Sequence, residues 1–245
     1  MGAVPAVHCE IVQVGTRTLV HLTGELTLPG VPAVRAVLAK CLVEQPDALV
    51  VDLARLTVAE PAALSVFPAV SRQAAVWPGT PLLICVPGPA LAAALTGGGY
   101  GRLKVFPSVA QALAVPPARR LTAISDRLLP VSGATRRARD VATEACLRWE
   151  LPHLTAPAAL VAGELVTNAV VHARTMADLR LSLGRRYLMI AVRDGSSAVP
   201  RIVPAPPADP ATGRGLVLVG AMARRWGSLP AEGGKVVWAT LPTAR

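Results

Sequence analysis

The chain has 245 residues, room for two ordinary domains, and 52% of them are hydrophobic, which excludes global disorder. Only 3% are aromatic, so a core must be built from Ala, Val and Leu. The net charge of +10 is unevenly placed: residues 1–118 hold 7 of the 25 Lys and Arg and 6 of the 15 Asp and Glu, whereas residues 119–245 hold 18 and 9, a separation that suggests two units with different partners.

The N-terminus lacks the basic-then-apolar layout of a signal peptide. No uncharged apolar stretch reaches the ~18 residues of a membrane span. Cys9, Cys41, Cys85 and Cys146 lie far apart without a CxxC pair. That argues against a zinc site or a disulfide framework and suits a reducing, cytoplasmic setting. The basic second half leaves nucleic acid, a nucleotide or an acidic protein open as partners, beside a plain solvated surface.

In chain order, "CEIVQVGTRTLVHLTGEL" reads as two strands around a turn at Gly15–Arg17. "VPAVRAVLAKCLVE" places Val34, Val37, Leu38, Cys41 and Leu42 on one helical face. "ALVVDL" is a short buried strand, and "PAALSVFPAVSRQAAV" is a helix that Pro68 should kink or divide. "PLLICV" and "GPALAAAL" are a strand and a short helix, and "RLKVFPSVAQALAV" adds one more of each. The order β-β-α-β-α-β-α-β-α predicts a mainly parallel sheet with helices packed on it. "AVPPARR" at 114–120 is a linker in composition.

This half, about residues 7–115, resembles a STAS domain, the fold of anti-sigma-factor antagonists, on its element order and on "ALVVDLARLTVAEPAALSVF". The resemblance implies a phosphorylatable Ser after the strand, but the register puts Ala62 there, and Glu60 stands where Asp is usual. Ala has no hydroxyl to accept a phosphoryl group, and Thr57 and Ser65 are out of register. The domain is expected to bind without being switched at this site.

The second half opens with "SGATRRARDVATEACLRWEL", a helix that Ser132 could cap, with Ala138, Val141, Ala142, Ala145 and Cys146 as its apolar stripe. A second helix follows, with Pro157 in its first turn and "GELVTNAVVHA" at 163–173. "ADLRLSLGRRYLMIAVRDG" alternates as a hairpin turning near Gly184. "VPRIVPAPPADPA" must be a loop, "TGRGLVLVGAMARRWG" a glycine turn opening a helix, and "GKVVWATLP" a last strand.

Within the apolar second helix, Glu164, Asn168 and His172 recur every fourth residue. At about 100° per residue they fall within an arc of about 80°. Burying them costs a few kcal/mol each unless they are paired, so they are either satisfied groups beside a groove or part of a ligand site. A Glu in a cavity can orient or deprotonate a hydroxyl, and an Asn oxygen can bind a hard cation. Asp194, a lone carboxylate ending a hydrophobic strand, could accept from the amino group of a base. "TGRGL" offers backbone N–H groups and a helix N-terminus to phosphates, with Arg214 inside the turn.

On these motifs residues 121–245 resemble a GHKL-type ATPase domain, closest to the bacterial anti-sigma-factor serine kinases. "ELVTNAVVHA" is similar to the family's N box, "VRDG" to its first glycine box, and "TGRGLVLVGAMARRWG" to its second. The resemblance implies an α/β sandwich, a mixed sheet covered by helices on one face. It implies ATP and Mg²⁺ as cofactors, Glu164 as general base, Asn168 as metal ligand and Asp194, followed by Gly195, as the adenine-reading residue. Gly213, Arg214, Gly215 and Leu216 would sit at the triphosphate. His172 is either a phosphate contact or a packing residue. Two departures, "DGSSA" after the strand and Val236 where Thr is usual, threaten nucleotide affinity more than catalysis.

The whole chain therefore reads as α/β: a STAS-like β/α domain at 1–115, a linker at 116–120 and a GHKL domain at 121–245. The expected activity is that of an ATP-dependent serine/threonine-protein kinase acting on a STAS-domain anti-sigma-factor antagonist, in a partner-switching pathway controlling transcription. The alternative is a module without catalysis that sequesters a sigma factor or a STAS partner. The resemblance allows a homodimer. Direct nucleic-acid binding is not expected, because Trp149, Tyr187, Trp226 and Trp238 are scattered rather than interleaved with the basic residues.

Overall fold

The computed structural model describes residues 7–97, 103–116, 122–184, 186–200 and 215–244, and the chain divides into two compact units, 1–120 and 121–245. Part of the expected linker, 117–120, lies outside the described residues.

In the first unit, β1 (His8–Val14) and β2 (Arg17–Leu26) form an antiparallel hairpin turning at Gly15, whose φ of 61° suits glycine. Next come α1 (Val31–Val43), β3 (Leu49–Val58), α2 (Val66–Val76), β4 (Leu82–Cys85), α3 (Pro89–Thr96), β5 (Lys104–Phe106) and α4 (Val109–Ala114). The sheet order is β1-β2-β3-β4-β5, with every pair after the hairpin parallel. Leu49, Val51 and Leu53 enter the core under α1 and α2, while Val50 points to the opposite face with Leu83 and Cys85, under α4. Burial on both faces is why the strand opens as an apolar run, Leu49–Val51, without alternation.

Strand β3 is longer than "ALVVDL" suggests, because pairing with β2 resumes after an irregularity at His21/Thr23 and runs on to Leu26↔Val58. The stretch expected to be kinked or divided by Pro68 is divided, but ahead of the proline, at Ser65/Val66. A 3-10 turn at Pro61–Ser65 precedes the helix, so Pro68 falls in the first turn of α2, where a missing N–H costs little.

The second unit begins with a strand the sequence did not announce, β6 (Thr122–Leu128). It lies at the sheet edge and is mostly solvent-facing, so it shows little alternation. Arg127 pairs with Asp178 at 2.7 Å and Asp126 with Arg137 at 2.7 Å. Then come α5 (Ala134–Arg148), α6 (Thr155–Thr167), the hairpin β7 (Ala177–Leu183) and β8 (Tyr187–Asp194), α7 (Gly215–Met222), β9 (Arg225–Ala231) and β10 (Gly234–Pro242). Ser132 does not cap α5: the N-cap is Gly133, at a φ of 98°, with no side-chain bond. Arg225–Gly227, expected to extend the last helix, belong to β9 instead, because pairing with β10 claims their backbone. Pro230 is tolerated there since β9 is an edge strand.

The sheet order is β6-β7-β8-β10-β9, and all four pairings are antiparallel, not the mixed arrangement implied by the resemblance. Leu179, Leu181, Leu188, Ile190, Val192, Val237, Ala239 and Leu241 share a core with α5, α6 and α7. The run Pro152–Val171 is long and apolar enough by composition to cross a membrane. Here it contains α6, the helix at the centre of this core.

Candidate nucleotide site

Helix α6 carries the candidate catalytic residues. Ala158, Val161, Ala162, Leu165 and Val166 are buried against α5 and the sheet, while Glu164, Thr167 and Asn168 are half-buried and form a strip of their own. Thr167 Oγ1 lies 2.9 Å from Thr135 Oγ1 of α5, so the strip faces the α5 side.

The expected column of three does not continue at α-helical pitch. From Asn168 to Ala173 the chain widens into a π-helix. Such turns are rare and recur at functional sites. His172 therefore does not follow Asn168 at the α-helical spacing; its side chain lies outside what is described. Asn168 Nδ2 is buried and has no hydrogen-bond partner among the described residues. Since the two ends of an amide exchange by a flip, this is one buried amide edge without a partner, at the position expected to ligate a metal.

Glu164 has two neighbours that the motifs did not reveal. Arg139 Nη2 of α5 lies 3.7 Å from Glu164 Oε1, with the carboxylate side chain 19% exposed. A Cβ at Gly163 would stand 2.5 Å from Arg139 Nε, so Gly163 is the residue that lets this guanidinium cross α6. On the other side, a Cβ at Gly215 would stand 2.7 Å from Glu164 Oε2. Gly215 opens α7, so the carboxylate sits against a helix N-terminus, a favourable place for an anion. Leu216 is buried in the core. Gly213 and Arg214 lie outside the described residues. Among the described residues, no three of His, Cys, Asp and Glu cluster as metal ligands.

Asp194 is not a lone carboxylate. Lys235 Nζ donates to Asp194 Oδ1 at 2.8 Å and to the Ser196 carbonyl at 3.1 Å, and Ser196 N donates to the same Oδ1 at 2.8 Å. The pair is buried, with side-chain exposures of 3% for Asp194 and 10% for Lys235. The antiparallel register explains it: Lys235 stands opposite Asp194, whereas Val236 stands opposite Arg193. Lys235, not Val236, is therefore the β10 residue that meets this carboxylate. Gly234 makes the approach possible, since a Cβ there would collide with the Asp194 carbonyl. Gly195 N donates to Thr175 Oγ1 at 3.1 Å.

In the first unit, Ala62 is exposed on the 3-10 turn, and Glu60 Oε2 accepts from Leu28 N at 2.9 Å. Ser65 is exposed, and Thr57 Oγ1 donates to the Gly24 carbonyl at 3.1 Å.

At one end of the site the half-buried Asn168 amide has a buried edge without a partner among the described residues, which fits a metal ion, while the room beside Gly215 is taken by the Glu164 carboxylate. At the other end the expected base reader is already paired. Arg139 and Lys235 were missed because neither lies in a motif; only the tertiary crossing of α5 over α6 and the register of β10 bring them in.

No curated protein matches the chain. Among solved structures, an anti-sigma factor antagonist from Mycobacterium paratuberculosis is similar at 19% identity, over 46% of this chain and 96% of its own, with a TM-score of 0.38. The anti-sigma factor antagonist SpoIIAA in its unphosphorylated form is similar at 14% identity, over 43% of this chain and 94% of its own, with a TM-score of 0.35. The Bacillus cell fate determinant SpoIIAA in the phosphorylated form is similar at 16% identity, over 43% and 96%, with a TM-score of 0.35. Residues 131–241 match the family model of the histidine kinase-like ATPase domain. Over that span the chain carries a histidine kinase-like ATPase domain, a type that implies ATP binding.

Proposed function

We propose that residues 121–245 bind Mg²⁺·ATP and phosphorylate a Ser or Thr of a separate STAS-domain protein, as a serine/threonine-protein kinase of the anti-sigma-factor type in a partner-switching pathway controlling transcription. The observation that carries this reading is the pairing, one helical turn apart, of a half-buried carboxylate at Glu164 with a half-buried amide at Asn168 whose Nδ2 has no hydrogen-bond partner among the described residues. A purely structural helix gains nothing from that amide, because an unsatisfied buried polar group costs about 1–3 kcal/mol.

When bound, Mg²⁺·ATP supplies the phosphoryl group. Asn168 would hold the metal, and the backbone from Gly213 to Leu216 would face the phosphates. Asp194 and Gly195 would border the base. Glu164 would accept the proton of the partner's hydroxyl. Its place beside Arg139 and the α7 N-terminus keeps the carboxylate oriented. Positioning and electrostatics carry most of the catalysis in such transfers. The first unit, read as STAS-like with Ala62 at the acceptor register, would bind partners without being phosphorylated there.

A second reading, a module that sequesters a sigma factor or STAS partner without catalysis, is favoured by the Asp194–Lys235 pair and by Ala62. Incubating the full chain with labelled ATP, Mg²⁺ and a panel of STAS proteins from the same genome separates the two. Label on a partner Ser or Thr supports the kinase; ATP binding with no transfer to any member supports the module.

A further inference from the structure

The base end of the site carries two charged groups where the motif reading expected one. Lys235 and Asp194 face the same side of the sheet, at the end of a register that continues through Val237↔Val192 and Ala239↔Ile190. Both donors received by the carboxylate land on Oδ1, from Ser196 N and from Lys235 Nζ. Among the described residues this leaves Oδ2 without a hydrogen bond. An ammonium has three N–H donors, and Lys235 commits two, to Asp194 and to the Ser196 carbonyl. One acceptor and one donor therefore remain on the pair.

A nucleotide base does not displace this lysine. Separating a buried ion pair costs more than one hydrogen bond to a charged group returns. The base must meet the intact pair. A 6-aminopurine presents on its Watson–Crick edge a donor, the 6-amino group, beside an acceptor, N1. That edge is complementary to Oδ2 of Asp194 and the third N–H of Lys235.

We propose that Lys235 is a specificity-determining residue of the nucleotide site, donating to N1 of the adenine base while Asp194 accepts from the 6-amino group. The inference deepens the ATP-site reading above and rests on it. A single carboxylate reads only the amino group; the pair reads two adjacent positions and offers the neutral base a site without net charge.

The test uses the full chain, Mg²⁺, and two nucleotides titrated by calorimetry: ATP and 1-deaza-ATP, in which a C–H replaces N1 and the amino group is kept. ATP should bind roughly ten- to a hundredfold more tightly, the worth of one hydrogen bond to a charged donor. In Lys235→Met that preference should shrink to about threefold or less through weaker ATP binding. A ratio near one in the parental chain overturns the inference. So does a ratio retained in Lys235→Met, which would assign N1 to another group, or tighter ATP binding by that variant, which would make the lysine a plug. If Lys235→Met does not fold, the parental ratio alone decides. Failure of the folded parent to bind either nucleotide at millimolar concentration refutes the ATP-site reading and this inference with it; ATP binding indifferent to N1 refutes this inference alone.

Discussion

Replacing Asn168 by Leu should make the second unit more stable and remove its metal dependence. Leu has the branching and heavy-atom count of Asn but no polar atoms. Asn168 Nδ2 is buried with no partner among the described residues, so the native chain bears the desolvation of that group. Such a penalty is about 1–3 kcal/mol, and the better helix propensity of Leu adds a few tenths. Part of the gain is lost with the hydration of the half-buried remainder of the side chain, leaving about 1–2 kcal/mol. For a unit of ~125 residues each kcal/mol moves the midpoint by about 3–5 °C. Calorimetric melting of the full chain without nucleotide should therefore show the transition of the second unit raised by roughly 3–10 °C. Titrations with ATP in Mg²⁺ and in EDTA should then show a metal dependence in the parent that Asn168→Leu lacks. A melting point lowered by a similar amount would mean that the amide has a partner in solution. An unchanged metal dependence would remove Asn168 from the site.

Other outcomes can be checked alongside. Glu164→Gln keeps the size and one acceptor oxygen but cannot take a proton, so phosphoryl transfer should fall about 10²–10⁴-fold with ATP affinity nearly kept; equal transfer rates would make the α6 carboxylate structural. Ala62→Ser places a hydroxyl on an exposed 3-10 turn, and after incubation with Mg²⁺·ATP peptide mass spectrometry should find phosphate there if the site accepts it, and none in the parent at Thr57 or Ser65. Phosphate at either residue in the parent would show the acceptor register to be wrong. Burial pushes the thiols of Cys41 and Cys146 up to about 11 and that of Cys85 to about 12, helped at Cys41 by Cys9 and at Cys85 by Asp52. A thiol raised on folding contributes stability below its unfolded pKa of about 8.5 and loses it as pH climbs toward the folded value. The denaturation midpoint should accordingly fall above about pH 9, and iodoacetamide on the folded chain at pH 8 should modify the half-buried Cys9 first. A midpoint flat to pH 10.5 would refute this.

Much of the architecture was legible because its signals are local. The turn at Gly15, the apolar face of α1, the alternation of β7 and β8 and the two-unit charge asymmetry each lie within a short window. So did Glu164 and Asn168, since polar groups in an otherwise apolar helix stand out in any reading. Edge strands β6 and β9 were not legible, because one face to solvent and few buried residues leave no period to detect. The end of α7 was missed for a related reason: Arg225–Gly227 have no strong preference, and hydrogen bonding to β10 decides their state.

Sequence by itself determined which residue types were available at the site, and that two of them lay one helical turn apart. Tertiary structure alone decided their company. The crossing of α5 over Gly163 puts Arg139 beside Glu164. The register of β10 against β8 puts Lys235, rather than Val236, on Asp194 across 41 positions of chain. A pattern along the chain reports periodicity, and periodicity says which face a residue takes. Which residue it faces across the sheet depends on register, and a shift of one position exchanges the two faces and turns a paired lysine into a buried valine.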